Sequence, residues 1–367
     1  MLQSFFNKLY EEILFFILMV LLGISMIFRI PSADSIDWRV IAALWNLMAV
    51  AVALESEFFL DYVASQISRR FHNERSLAFA LIATAMGISM LMTNDVALLT
   101  LVPITVLIGR LGKFNPFKLV ALETVGANVG SSLTPFGNPQ NIFLFNYFDM
   151  NLLSFLEISI QFVALASIAL CFTALGCSKD RIEFQLEKVA IKSKSRVYAY
   201  IGLFTMAILS ILHILPWQVV TCIIFIAMLF LNRRLLLQLD YFLLATFVLF
   251  FLLVDNLLAM DGLRDMVSSH LQNQVYAMWI SAIGSQLISN VPSAIVFSPF
   301  APDVRPILLG VSLGGMGTLI ASLANLISWK LYVKEYPRQE YFQYFTSVNI
   351  AIFSVVGMAL MFILAIT

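Results

Sequence analysis

The chain has 367 residues, 60% of them hydrophobic and only 12% charged, with 22 basic residues against 22 acidic ones. This composition excludes a single soluble domain, and the zero net charge argues against nucleic acid or any other strongly charged partner. A chain of this kind takes the lipid bilayer as its solvent.

Taken in order, apolar stretches long enough to cross a hydrocarbon core of about 30 Å are predicted at 12–28, 39–54, 118–148 with an interruption, 152–175, 197–213, 217–231, 241–254, 307–331 with an interruption, and 342–366. The first lacks a small-residue cleavage site and is followed at once by another span, so it reads as a membrane helix and not a cleaved leader. These stretches predict about nine full crossings in an all-α polytopic membrane protein. Two further apolar segments, 76–110 and 275–300, turn back at Thr93-Asn94-Asp95 and Ser289-Asn290-Val291 without a polar loop and are expected to be re-entrant helical hairpins. The 32 phenylalanines are expected mainly on lipid-facing and packed helix surfaces.

Basic residues cluster at Arg69, Arg70 and Arg75; at Arg110, Lys113 and Lys118; from Lys179 to Arg196; at Arg233 and Arg234; and at Lys330, Lys334 and Arg338. All five clusters fit the cytoplasmic face if the N-terminus is cytoplasmic and the C-terminus outside. The two hairpins then open to opposite faces. Cys171, Cys177, Cys222, His72, His213 and His270 are scattered without ligand spacing, which predicts no metal site. No phosphate-binding loop is present and no cofactor is expected, so an ion gradient, Na⁺ or H⁺, is the expected energy source.

An internal repeat organises the chain. Leu91-Met92-Thr93-Asn94 matches Leu287-Ile288-Ser289-Asn290, and Pro103 and Pro299 follow at equal distance. Gly130-Ser131-Ser132-Leu133-Thr134, ending at Asn141, aligns without gaps with Gly314-Gly315-Met316-Gly317-Thr318, ending at Asn325. Upstream, Glu55 and Asp61 correspond to Asp255 and Asp261 around amphipathic stretches. The division is 1–177 as the first half (tip 93–95, broken helix 130–141), 178–196 as a charged cytoplasmic linker, and 197–367 as the second half (tip 289–291, broken helix 314–325). Opposite orientation makes this an inverted repeat.

Pro135, Gly137, Asn138 and Pro139 cannot sit in a straight lipid-facing helix, because freed backbone groups must be buried in protein or line a watery cavity. A broken helix presents amide donors at one half-helix start and carbonyls at the other half's end. Oxygens of Thr93, Asn94, Ser131 and Thr134 are expected to hold one cation, with Ser289, Asn290, Gly317 and Thr318 as the symmetry mate. Asn94, Asn290, Thr134, Pro135, Gly137, Asn138 and Thr318 are the expected substrate contacts. Asp95 sits at an apolar tip, where it either caps the following helix or carries a cation or proton. Glu123 is either an interfacial first-turn acid or a second proton carrier. Glu55, Asp61, Asp255 and Asp261 mark polar faces of interfacial helices. Ser131, Ser132 and Ser289 lack a recognisable base, so no enzyme is expected.

Thr93-Asn94-Asp95 through Pro103, Gly126-Ala127-Asn128-Val129-Gly130 through Asn141, Ser289-Asn290-Val291-Pro292, and Leu313 through Thr318 together resemble the ion transporter superfamily. That group includes divalent-anion/sodium symporters, citrate transporters, arsenite efflux permeases, sodium/proton antiporters of the D type and the melanosomal P protein; this chain looks most like its compact bacterial inner-membrane branch. The resemblance covers most of the chain. It implies a homodimer with a scaffold and a moving transport domain that holds both hairpins and both broken helices. Asp95 and Val291 stand where the divalent-anion symporters carry Thr in Ser-Asn-Thr tips. The expected function is secondary active transport of a small anion, a di- or tricarboxylate or an inorganic oxyanion, coupled to Na⁺ or H⁺ by alternating access. The alternative is Na⁺/H⁺ antiport or arsenite efflux. A channel would share these features and would differ in passing sustained single-channel current.

Overall fold

The computed structural model describes residues 13–366 apart from 28, 69, 72, 185 and 187. Glu12 and Phe28 of the first expected span, Arg69, His72 and the side chain of Asp261 therefore lie outside what is described. Among the described residues the regular structure is seventeen α-helices and three short 3-10 helices, with no strand.

The expected spans are helices. They appear as α1 (Ile13–Ser25), α2 (Trp38–Ser56), α6 (Phe117–Ser131) continued by α7 (Pro139–Tyr147), α8 (Leu152–Ala174), α9 (Lys194–Ile211), α10 (Trp217–Asn232), α11 (Tyr241–Leu258), α15 (Val304–Gly314) continued by α16 (Leu323–Tyr332), and α17 (Arg338–Ile366). The short amphipathic helices are α3 (Phe59–Ser68) and α12 (Asp261–Leu271), and the hairpins are α4 (Glu74–Leu91) with α5 (Asn94–Leu111) and α13 (Gln274–Ile288) with α14 (Asn290–Phe297). Glu55 and Asp255 lie in the last turns of α2 and α11 rather than on the amphipathic helices, and Asp255 pairs with Arg29 at 3.6 Å. Of the described helices, α2, α4, α5, α8, α10 with its 3-10 extension to Gln238, α11 and α17 are long and apolar enough to cross a bilayer. Both arms of the first hairpin meet that length; those of the second, at 15 and 8 residues, do not.

Helix starts are built from local chemistry. Asp37, Asn73, Asn151, Ser193, Asp240, Asn273 and Asp303 each accept a first-turn N–H of α2, α4, α8, α9, α11, α13 and α15, satisfying a donor the helix leaves open. Large apolar side chains such as Phe230, Phe172 and Phe362 point outward, 86%, 71% and 63% exposed, where lipid is the only favourable solvent.

Two groups of helices pack side by side. In one, α4 lies along α6 and α13 along α15, with α5, α8, α16 and α17 around them. In the other, α2 packs on α9, α10 and α11, and α1 packs on α11. The α4–α6 contact is close because Gly130 has no side chain: a Cβ there would fall on the Cα and carbonyl of Met86. At the matching Gly314 a Cβ would fall on the Oγ and Cβ of Ser285 and press on the Cα of Ala282, so the α13–α15 contact is close for the same reason. Gly130→Ala and Gly314→Ala are therefore each expected to destabilise the protein by about 1–3 kcal/mol, which thermal unfolding of the two purified variants measures.

The charged segment 178–196 crosses between the groups, its last three residues opening α9 and its other described residues forming no helix. Arg75 N donates to Ser178 O at 2.9 Å, Lys192 N to Glu57 O at 3.1 Å, and Arg196 pairs with Glu57 at 3.3 Å.

Candidate substrate and ion site

Both hairpin tips and both helix breaks meet around one cavity of about 60 Å³. Asn94 and Asp95 enter from the start of α5, Asn138 and Pro139 from the start of α7, Ser289 and Asn290 from the start of α14, and Ser322 and Leu323 from the start of α16. Thr246, Phe247 and Phe250 of α11, in the second helix group, close the remaining side.

Four helix N-termini thus converge on one small space, and they share a further property. Their N-cap positions hold Thr93, Asn138, Ser289 and Ser322, the residue types that cap best, yet none makes a side-chain cap bond. Three of these side chains are turned elsewhere: Asn138 Nδ2 lies 3.5 Å from Ser131 Oγ, Ser322 Oγ 3.4 Å from Asn128 Oδ1, and Ser289 Oγ 3.4 Å from Ala321 O. Asp95 N donates to Asn94 Oδ1 at 3.1 Å, Asn290 N is also bonded, and Pro139 and Pro292 carry no N–H, so each start keeps only part of its first-turn donors for the cavity, with the positive ends of four helix dipoles behind them.

The breaks are braced in the same way in each half. Asn141 Nδ2 donates to Ser131 O at 3.0 Å and Thr134 O at 2.9 Å; Asn325 Nδ2 donates to Gly315 O at 3.1 Å and Thr318 O at 3.0 Å. These are equivalent positions in the gap-free alignment of the sequence. The halves are also cross-linked: Asn94 Nδ2 donates to Asn128 Oδ1 at 2.9 Å, and Asn128 Nδ2 to Asn325 Oδ1 at 2.7 Å. Asn94, Asn128 and Asn325 are all buried, so this amide relay runs from the first tip through the first break to the second. The second tip is tied by Asn290 N donating to Ala321 O at 2.9 Å.

The tips are not copies. Ser289 alone separates α13 from α14, at φ +76°, a conformation costly for a side chain other than glycine, whereas Met92 and Thr93 separate α4 from α5 with ordinary backbone. The second break is held by Gln286, whose Nε2 donates to Gly314 O at 2.9 Å and Met316 O at 2.8 Å while its Oε1 accepts Thr318 N at 2.9 Å.

Of the expected site residues, Asn94, Asp95, Asn138, Ser289 and Asn290 line the cavity. Thr93 borders a neighbouring cavity of about 400 Å³ that also contains Asp95. Ser131, Thr134, Pro135, Gly137, Gly317 and Thr318 line neither. The Ser131 hydroxyl donates to Asn128 O at 3.0 Å and the Thr134 hydroxyl to Met90 O at 2.6 Å, so both brace the break, while Thr318 is exposed. Asp95 does not cap α5, because the helix begins one residue earlier with Thr93 at the N-cap. Glu123 lies past the first turn of α6, where it is fully buried and its Oε2 accepts Thr105 Oγ1 at 2.8 Å. Sequence reasoning passed over Asn128, Gln286, Ser322 and Thr246 as site residues. Asn128 and Gln286 were signalled by amides inside apolar helices; Thr246 had no signal, since nothing local shows that α11 closes the cavity.

The family model for citrate transporters matches residues 8–307. The chain belongs to the citrate transporter family. It is 33% identical over 316 residues to an uncharacterized transporter of Methanocaldococcus jannaschii, covering 85% of this chain and 86% of that protein. It is 32% identical over 329 residues to inner membrane protein YbiR of Escherichia coli, covering 86% and 87%. Among solved structures it resembles the YdaH transporter of Alcanivorax borkumensis, with a TM-score of 0.54, 14% identity, and 89% and 84% coverage. At that identity the likeness is one of fold. This family member is thus a multi-pass membrane transporter of the ion transporter superfamily.

Proposed function

We propose that the protein is a secondary active transporter that binds a small anion in the central cavity and couples its movement to Na⁺ or H⁺. The observation that carries this reading is the convergence of four uncapped helix N-termini on one enclosed space, an arrangement that offers N–H donors and positive dipole ends to a negative ligand. Asp95 stands in the same cavity. A second negative charge beside an ionised Asp95 is repelled, so the anion binds best when a proton or Na⁺ neutralises that carboxylate, and this linkage is the coupling.

The matched bracing of the two breaks supports an origin by duplication, with halves 1–177 and 197–367 in opposite orientation. The positions of the basic clusters support a cytoplasmic N-terminus, and the shared position of both tips beside the helix breaks supports re-entrant hairpins. The group containing α2, α9, α10 and α11 would then serve as scaffold in a homodimer, and the group holding the hairpins as the moving part.

One observation favours the alternative of Na⁺/H⁺ exchange or arsenite efflux: no Lys, Arg or His lines the central cavity among the described residues. Purified protein in proteoliposomes separates the readings. The proposal expects a labelled anion to accumulate only under an inward Na⁺ or H⁺ gradient. Proton movement on Na⁺ addition with no anion present would replace it with exchange.

A further inference from the structure

We propose that the solute is a monoanion with an apolar tail, its carboxylate held by the four helix starts and its tail in the adjoining cavity. This rests on the anion-transport reading above and assigns that site its substrate class.

The first argument is charge. A helix start carries about half a positive charge, so four of them offset one carboxylate on the ligand and one on Asp95. No cationic side chain lines the central cavity among the described residues to offset a second or third ligand charge. The adjoining cavity does not supply the deficit, because it presents Asp95 and Asp240 against Lys330.

The second argument is shape and polarity. The central cavity, about 60 Å³, accommodates little beyond a head group. It shares Asp95, Pro139, Leu243 and Leu323 with the 400 Å³ cavity, so the two spaces adjoin across these side chains. One long wall of the larger space is Leu44, Leu47, Met48, Ala51 and Val52, which fall on a single stripe of α2 by their helical spacing. Phe204 of α9, with Leu326 and Ile327 of α16, faces the same space. A route serving a polycarboxylate would present polar groups along its length, whereas this one presents aliphatic surface directly beside the anion-binding helix starts. A solute with one charged end and one apolar end satisfies both spaces at once.

The test is binding and counterflow with straight-chain monocarboxylates from acetate to hexanoate, alongside succinate, citrate and hexanol. Each added methylene is expected to tighten binding about fourfold, the value for complete burial, with citrate weaker than hexanoate and hexanol failing to compete. Ala51→Phe, on the α2 stripe, should weaken hexanoate tenfold or more and leave acetate unchanged; retained acetate binding shows that the variant is folded. Acetate or phosphate binding with no gain along the series, citrate outcompeting hexanoate, or hexanol competing as well as hexanoate would each overturn the tail assignment while leaving anion transport standing. Absence of binding by every anion would remove the anion reading itself, and the tail assignment with it.

Discussion

Asp95→Asn is expected to uncouple the transporter: gradient-driven accumulation is lost while exchange of labelled for unlabelled solute continues. The substitution removes the charge at nearly constant volume from a residue that lines both cavities. Two unit negative charges about 5 Å apart at an effective dielectric of about 20 repel by roughly 3 kcal/mol, more than a hundredfold in affinity. In the native protein a proton or Na⁺ lifts that penalty, so anion affinity rises with the coupling cation. In the Asn variant the penalty is permanently absent, and affinity should be high and independent of Na⁺ and pH. Reconstituted variant that still accumulates solute with native Na⁺ and pH dependence would remove Asp95 from coupling.

Asn128→Leu is expected to abolish transport through a different cause. Asn128 joins Asn94 on one side to Asn325 on the other, and all three are buried. Leucine leaves both partners without this contact, and each buried polar group left unpaired costs about 1–3 kcal/mol. The tip and the two breaks then lose their common register, so solute affinity falls at least tenfold and thermal stability falls with it. Asn128→Asp, which keeps the acceptor, should retain the contact to Asn94 better than leucine does. Thr318→Ala is the control. Sequence symmetry alone predicts matched losses for Thr134→Ala and Thr318→Ala, but only Thr134 has a hydroxyl bond bracing its break, to Met90 O at 2.6 Å. Thr318 is exposed and bonds to Gln286 through its backbone N–H. Thr134→Ala should therefore cost measurable transport and Thr318→Ala little; equal losses, or an active Asn128→Leu, would contradict this account of how the site is held.

The sequence by itself determined the helical architecture, because bilayer solvation requires long apolar segments and permits broken ones only where backbone groups find internal partners. That is why 118–148 and 307–331 were legible as interrupted helices, and why Asn141 and Asn325 could be aligned before their matched bonds to the breaks were seen. It also placed Asn94, Asp95, Asn138, Ser289 and Asn290, since amides, hydroxyls and a carboxylate at apolar turns are costly unless they serve a site. Tertiary structure alone decided which of these share a cavity. The four helix starts lie far apart in the chain, and whether Thr93, Asn138, Ser289 and Ser322 cap their helices or turn away depends on partners such as Asn128 and Ala321 that packing brings near. The same holds for Glu123, whose burial comes from α5 laid against α6, and for the α2 stripe from Leu44 to Val52. Local periodicity marks that stripe as one face of a helix, but only the packing of α2 toward the α5, α9 and α16 walls makes it the side of a cavity that opens onto Asp95.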